Sequence, residues 1–318
     1  MAGYIARRLV QSLVVLLIIT FLVFGIMRWL PGDPILLYLS SDSYRITNAE
    51  EIARMRHQYG LDKPVPLQYL DWIKGVLQGD LGKSITKGTT VNEELARAVP
   101  ITLYLGLVSF IISQLIGIPL GILAAIRRGT WIDNTILVFA NLGVTAPIFW
   151  VGIILIYLFA VQLKWLPVQG YTSPFTDFSM SIQQLILPAF CLALGPLAGA
   201  TRQTRSAMLE VLHQDYVRTA WAKGLSERVV IGRHVVKNGI LPVVTLAGMA
   251  VPMIIGGAVL VETVFNIPGI GRLAVNALFA KDYAIVQGVV LITAIAVIVA
   301  NLLVDLSYGW LDPRVRLA

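Results

Sequence analysis

Charged residues retreat from six intervals of this chain: between Arg8 and Arg28, Arg97 and Arg127, Asp133 and Lys164, Asp177 and Arg202, Lys237 and Glu262, and Asp282 and Asp305. An ionisable side chain at mid-bilayer costs about 3 kcal/mol or more, and a spanning helix needs about 20 largely apolar residues. Each interval therefore predicts one membrane crossing, and together they predict an all-α polytopic membrane protein with six transmembrane helices. The first interval has a signal peptide's basic flank in Arg7 and Arg8. However, Met27-Arg28-Trp29-Leu30-Pro31 is too bulky for a cleavage site, so an uncleaved anchor is expected.

Three segments follow from this pattern: residues 1–30 as a short N-terminus and first span, 31–97 as an external region, and 98–318 as a five-helix core containing loop 202–237. The external region opens on Pro31-Gly32-Asp33-Pro34, a turn signal that stops the first helix. Ile52, Met55 and Tyr59 behind Glu50-Glu51, and Leu67, Leu70 and Leu77, recur at helical spacing and predict two short amphipathic helices. So few apolar anchors favour helices lying on a surface over a separate domain.

Composition agrees: hydrophobic residues make up 57% and charged residues 14%, against roughly 25% charged in soluble proteins, and the mean hydropathy is +0.76. The charge distribution sets the orientation. The side holding residues 1–8, 127–133, 202–237 and 305–318 carries 13 Lys/Arg against 6 Asp/Glu, and the other side carries 12 of each, so the whole net charge of +7 lies on one side. By the positive-inside rule that side is the cytoplasm, with both termini on it. The basic balance thus reflects topology, and no basic patch interleaved with aromatics points to nucleic acid.

Little in the sequence supports chemistry within the chain. Gly82-Lys83-Ser84 is a decoy, because a phosphate-cradling loop needs Gly where Leu77 stands. The three histidines, His57, His213 and His234, lie outside the spans. The lone Cys191 allows no intramolecular disulfide or cysteine metal cluster. Glu262 and Asp305, at span ends, are expected to snorkel or meet a local cation. No cofactor or metal is expected, and any ATP must be hydrolysed elsewhere. Proline and glycine in four spans (among them Gly117, Pro119, Gly121, Pro147, Gly195, Pro196, Gly248, Pro252 and Gly257) fit close packing or a bundle that opens and closes. Ser113, Gln114, Asn141, Thr145 and Asn301 are the polar span residues that could line a pathway, with helix–helix bonding the plainer alternative.

The loop 202–237 is the informative stretch. Residues 206–238 read as a helix, a break at Gly224, and a second helix capped at Ser226. Arg218, Ala220, Trp221 and Ala222 form a compact, mostly small-residue surface beside the break. An ordinary positive-inside loop accounts for the charges; an elbow that enters a partner's groove accounts for the order of helix, glycine, helix.

This loop resembles the coupling motif of binding-protein-dependent ABC importer permeases, Glu-Ala-Ala-x3-Gly-x9-Ile-x-Leu-Pro. Arg218, Thr219 and Ala220 stand at its first three positions and Gly224 at its glycine, and Asp215-Tyr216 followed by Arg-Thr-Ala-x-Ala-Lys-Gly is similar to the peptide/nickel branch. Arg218 replaces the acid, His234 the Ile, and Val236-Lys237 the Leu-Pro, with Leu241-Pro242 five residues later. Arg7-Arg8-Leu9, Pro31-Gly32-Asp33-Pro34, Tyr59-Gly60-Leu61-Asp62-Lys63-Pro64, Gly79-Asp80-Leu81-Gly82, Pro147-Ile148-Phe149-Trp150, Pro268-Gly269-Ile270-Gly271-Arg272 and Leu311-Asp312-Pro313-Arg314-Val315-Arg316 resemble, in order and spacing, B-type dipeptide/oligopeptide permeases.

The resemblance implies the type I ABC importer permease fold in a prokaryotic inner membrane. It also implies a homologous second permease subunit, two cytoplasmic ATPase subunits using ATP and Mg, and an external solute-binding protein. The implied ATPase-coupling residues are Asp215, Tyr216, Arg218, Thr219, Ala220, Ala222, Lys223, Gly224 and Leu225. Short peptides are the expected cargo, with nickel chelates, glutathione or opines as alternatives; a standalone channel or carrier is the competing class.

Overall fold

The computed structural model describes residues 2–29, 31–41, 49–240, 243 and 250–311. Leu241-Pro242, Gly248 and the Asp312–Arg316 motif lie outside the described residues, as do the side chains of Pro252, Gly257 and Asp305. In chain order the elements are α1 (Ala2–Trp29), α2 (Pro34–Ser41), α3 (Ala49–Gln58), α4 (Val65–Leu77), α5 (Val91–Ile126), α6 (Trp131–Thr145) and α7 (Ile148–Leu155). They continue with α8 (Phe178–Leu212), α9 (Asp215–Ala222), α10 (Glu227–Val229), α11 (Ala250–Val264), α12 (Ile270–Phe279) and α13 (Tyr283–Leu311). Two π-helical stretches, Ile156–Gln162 and Val230–Val236, extend α7 and α10.

One compact unit comprises residues 1–102 with 268–298. Its core joins Met27 of α1, Val91, Leu95 and Ala98 of α5, Leu273 and Ala277 of α12, and Ile285, Val286 and Val289 of α13. A Cβ on Gly288 would lie 2.5 Å from Val91 Cγ1, so α5 and α13 approach closely there. The turn after α1 does more than stop it. Gly32 takes the left-handed φ of +106°, the Asp33 carboxylate accepts from the Ile35 amide at 2.8 Å, and Pro34 opens α2, an additional helix that the sequence pattern did not predict. The two expected amphipathic helices are α3 and α4.

The decoy Gly-Lys-Ser segment has a structural role. Fully buried Asp282 accepts from Ser84 Oγ at 2.5 Å, Thr86 Oγ1 at 2.8 Å and Thr86 N at 3.2 Å. Beside it Asn92 accepts from the Leu81 amide and donates to Gly79 O, which fixes the Gly79–Gly82 loop against α5.

The second unit comprises residues 103–267 with 299–318. Here α5 and α8 touch through backbone: a Cβ on Gly117 would sit 2.8 Å from Leu197 O, and one on Gly121 2.5 Å from Thr201 O. Small residues allow this contact. Asp133 at the start of α6 is buried and takes a two-pronged ion pair from Arg205 of α8, at 2.7 and 2.8 Å. By sequence position both fall among the charges flanking the spans, so their pairing is a finding of the fold.

Among the described residues four helices are long and apolar enough to cross a bilayer: Arg7–Trp29, Val91–Ile126, Phe178–Leu212 and Tyr283–Leu303. The third charge-free interval, predicted as one crossing, is instead two helical pieces with a sharp bend between them. The helix stops at Thr145, Ala146 is extended (φ −72°, ψ 130°), and the chain resumes at Ile148 bent by 105°. Proline explains the break: Pro147 has no amide to donate and disfavours helical geometry in the residue before it. The fifth interval is helical over Ala250–Val264, with residues 241, 242 and 244–249 outside the described set.

Candidate functional site: a helical elbow after the fourth charge-free interval

The 35-residue α8 carries Pro188 and Pro196 inside it and runs without interruption from the apolar region to Leu212. His213 and Gln214 form a two-residue joint. Gln214 is extended, and its carbonyl accepts from Val217 and Arg218 to start α9.

The short α9 is amphipathic in the strict sense. Val217 and Ala220 face inward against Met208 of α8, Ala125 of α5, and Val230 and Val235 of the π-helical stretch. Ala220, expected on the outer surface, is therefore part of the buried seat; its small side chain lets α9 lie close. Gly239 admits Met208 to the same seat, because a Cβ there would come within 2.8 Å of it. The outer side is formed by Asp215, Tyr216, Arg218 and Thr219, followed by an unbroken exposed run from Trp221 to Val229 that includes Ala222, Lys223, Gly224 and Leu225.

Gly224 ends α9 for a definite reason. Its φ is +77°, its amide donates to Trp221 O, and the next amide, of Leu225, donates to Ala220 O. That double bond pattern is a Schellman cap, which needs a left-handed residue. No atom lies within 4 Å of where a Cβ on Gly224 would sit, so the requirement within this chain is one of backbone only. Ser226 stands before α10 as expected, though its side chain makes no cap bond; its carbonyl accepts from Val229 and Val230 instead.

Tyr216 and Trp221 are each 44% exposed and Leu225 38%. Three large apolar side chains on one turn and its cap form a surface that water does not favour. The Asn238 side chain donates to Tyr216 Oη at 3.1 Å, tying the ring to the seat, and Thr219 Oγ1 donates to Asp215 O. The Arg218–Asp215 pair, at 3.6 Å, is solvent-exposed and contributes little stability. The whole arrangement is a knob seated at the end of a long continuous helix.

A second candidate feature lies at the bend between α6 and α7. A cavity of about 420 Å³ is bounded by Thr145, Ala146 and Pro147 on one side and Cys191, Gly195 and Pro196 of α8 on the other. Irregular backbone at membrane depth is tolerated where it lines a cavity. Thr145 and Asn141 are exposed, with Thr145 Oγ1 donating to Asn141 O, and Asn301 is exposed too. Ser113 is buried and donates to Phe110 O in its own helix, and Gln114 donates to Ser113 Oγ. Gln114 Oε1 is buried without a partner, so of the five polar span residues Asn141, Thr145 and Asn301 are the exposed ones. Glu262, expected to snorkel to water or meet a local cation, is fully buried and so does not reach water. The sequence carried no signal for this, because burial of a span-end carboxylate depends on what packs over it.

The chain belongs to the family of binding-protein-dependent transport system inner membrane components: that family matches residues 117–317, and its N-terminal membrane-component family matches residues 1–106. It is similar over nearly its whole length to an oligopeptide transport system permease protein of Bacillus subtilis (44% identical; 99% of this chain, 100% of the relative). It is also similar to a probable peptide ABC transporter permease protein of Sinorhizobium fredii (40%; 99% and 100%). Among solved structures, a chain of the MetNI methionine ABC transporter in an inward-facing conformation shares the fold, at TM-score 0.51 and 17% identity over 67% of this chain and 95% of that one.

Proposed function

We propose that this protein is a permease subunit of an ATP-driven importer of short peptides, non-catalytic itself, that forms half of the translocation pathway. The observation that carries the reading is the seated knob of α9 on α8, a continuous lever from the apolar region to an exposed apolar surface, in a chain similar end to end to permeases named for peptides. In this reading the chain crosses the inner membrane six times with both termini cytoplasmic.

Its partners are a homologous second permease subunit, two cytoplasmic ATPase subunits that use ATP and Mg, and an external solute-binding protein. Residues 215–225 enter a groove of the ATPase: Tyr216, Trp221 and Leu225 supply the apolar contact, and Arg218 and Lys223 the rim. Movement of the groove tilts α8 as a rigid body, and Pro196, beside the bend at Ala146-Pro147, sits where that tilt changes the pathway.

Purified chain reconstituted in liposomes tests the assignment. Peptide flux is expected only when both ATPase subunits, the second permease and the binding protein are supplied with ATP. Solute flux through the chain alone would instead establish a channel or carrier.

A further inference from the structure

The first unit holds a cavity of about 440 Å³ between the C-terminal end of α1, the face of α4 and the start of α13. Three of its lining residues, one from each helix, carry a buried donor with no hydrogen-bond partner in the protein: Arg28 Nη1, Trp72 Nε1 and Gln287 Nε2. Gln287 is only 4% exposed. Buried polar groups are almost always paired, so three donors left over around one cavity are an unusual concentration.

The surroundings hold these donors in place. The Arg28 guanidinium carbon lies 3.6 Å over the Phe24 ring and 5.3 Å from the Tyr283 ring, while its Nε donates to Gln68 Oε1 at 2.9 Å. Trp72 packs on the same Phe24 ring, with centroids 6.2 Å apart. Arg28 pairs with no carboxylate among the described residues. The two acids that line the cavity are engaged elsewhere: Asp71 accepts from Lys63 Nζ at 2.6 Å and Asp80 accepts from the Gly82 amide at 2.9 Å.

We infer that this cavity is an oxyanion site, in which a carboxylate or phosphate group accepts hydrogen bonds from Arg28, Trp72 and Gln287. A guanidinium fork with an unused N–H, flanked by two neutral donors, matches the several lone pairs of such a group and supplies its counter-charge. A neutral acceptor would leave the cationic charge uncompensated. Two sources provide this chemistry. One is an anionic lipid headgroup, since Arg28 ends the span-length apolar helix α1, whose Phe21 and Trp29 are 60% and 89% exposed. A soluble carboxylate or phosphate is the other source.

The test uses the full-length chain in detergent after delipidation, with inorganic phosphate, acetate and phosphatidylglycerol as probes. Binding is read from the rise in melting temperature during titration, with retention of the lipid followed by native mass spectrometry. Trp72→Phe and Gln287→Met each remove one donor at near-constant volume. Each is expected to weaken binding about ten- to a hundredfold, the scale of one hydrogen bond to a charged group. Saturable binding of phosphatidylglycerol alone, sensitive to both variants, identifies a headgroup site. Equally sensitive binding of phosphate or acetate identifies a soluble oxyanion. Failure of all three probes to bind, or binding unchanged in both variants, overturns the proposal.

Discussion

At the scale of single residues, the chain places polar groups where each holds a joint. Asp282 is the clearest. It gathers Ser84 and Thr86 from a segment nearly two hundred positions away, and of these donors Ser84 is fully buried and Thr86 partly so. Asp282→Ala leaves them without an acceptor, at a cost of about 1–3 kcal/mol. Its melting temperature in detergent is therefore expected to fall well below that of Lys83→Ala, which alters an exposed side chain in the same loop. Asp33 gives a pH dependence. Burial opposes its charge, but hydrogen bonds from Arg56 and from the Ile35 and Leu36 amides outweigh that, and its carboxyl titrates below the usual 3.8. A depressed folded-state value adds stability that is complete above the unfolded value and is lost as pH falls through the folded one. The cap of α2 should hold down to the ordinary carboxylate range and loosen below it, and Asp33→Asn should remove that acid-side component from a melting-temperature-against-pH curve.

At the scale of elements, the chain depends on helix pairs that meet through backbone and through one ion pair. Arg205→Met strands the buried Asp133 carboxylate and is expected to cost about 3–5 kcal/mol. Restoring neutrality with Asp133→Leu in the same chain should recover most of it, as a double-mutant cycle of melting temperatures would show. Gly121→Val drives a side chain into the backbone of α8 at Thr201 and is expected to cost about 1–3 kcal/mol. The sequence pattern shows these elements unevenly. Charge-free intervals locate the long helices because membrane burial excludes charge residue by residue, and helical periodicity locates α3 and α4. The bend at Ala146-Pro147 was not placed from Pro147 alone, since proline inside α8 leaves that helix continuous; whether a proline breaks a helix depends on the neighbours that satisfy the freed carbonyl. The Asp133–Arg205 and Asp282–Ser84 contacts join distant positions, and no local pattern encodes them.

At the scale of the whole molecule, the account rests on mechanical continuity. The stretch 215–236 was legible as helix, glycine and helix, and the break falls at Gly224 because a Schellman cap needs a left-handed position. The direction of each side chain was less legible: Ala220 faces the seat, and Trp221 takes the exposed place. α9 spans only two turns, so an error of one position in its register turns the assigned inner face by about 100°.

The most direct test of the account is the ratio of peptide uptake to ATP hydrolysis in proteoliposomes of the assembled importer carrying Gly224→Trp or Gly224→Ala. Both substitutions carry the same left-handed backbone penalty, about 1–2 kcal/mol, and neither side chain meets an atom of this chain at its Cβ. They therefore differ in the bulk carried beyond Cβ at an exposed position. The account predicts that Gly224→Trp assembles and hydrolyses ATP while its uptake per ATP falls roughly tenfold or more below that of Gly224→Ala, the scale of a coupling energy of about 1–3 kcal/mol. Equal ratios in the two variants would contradict it.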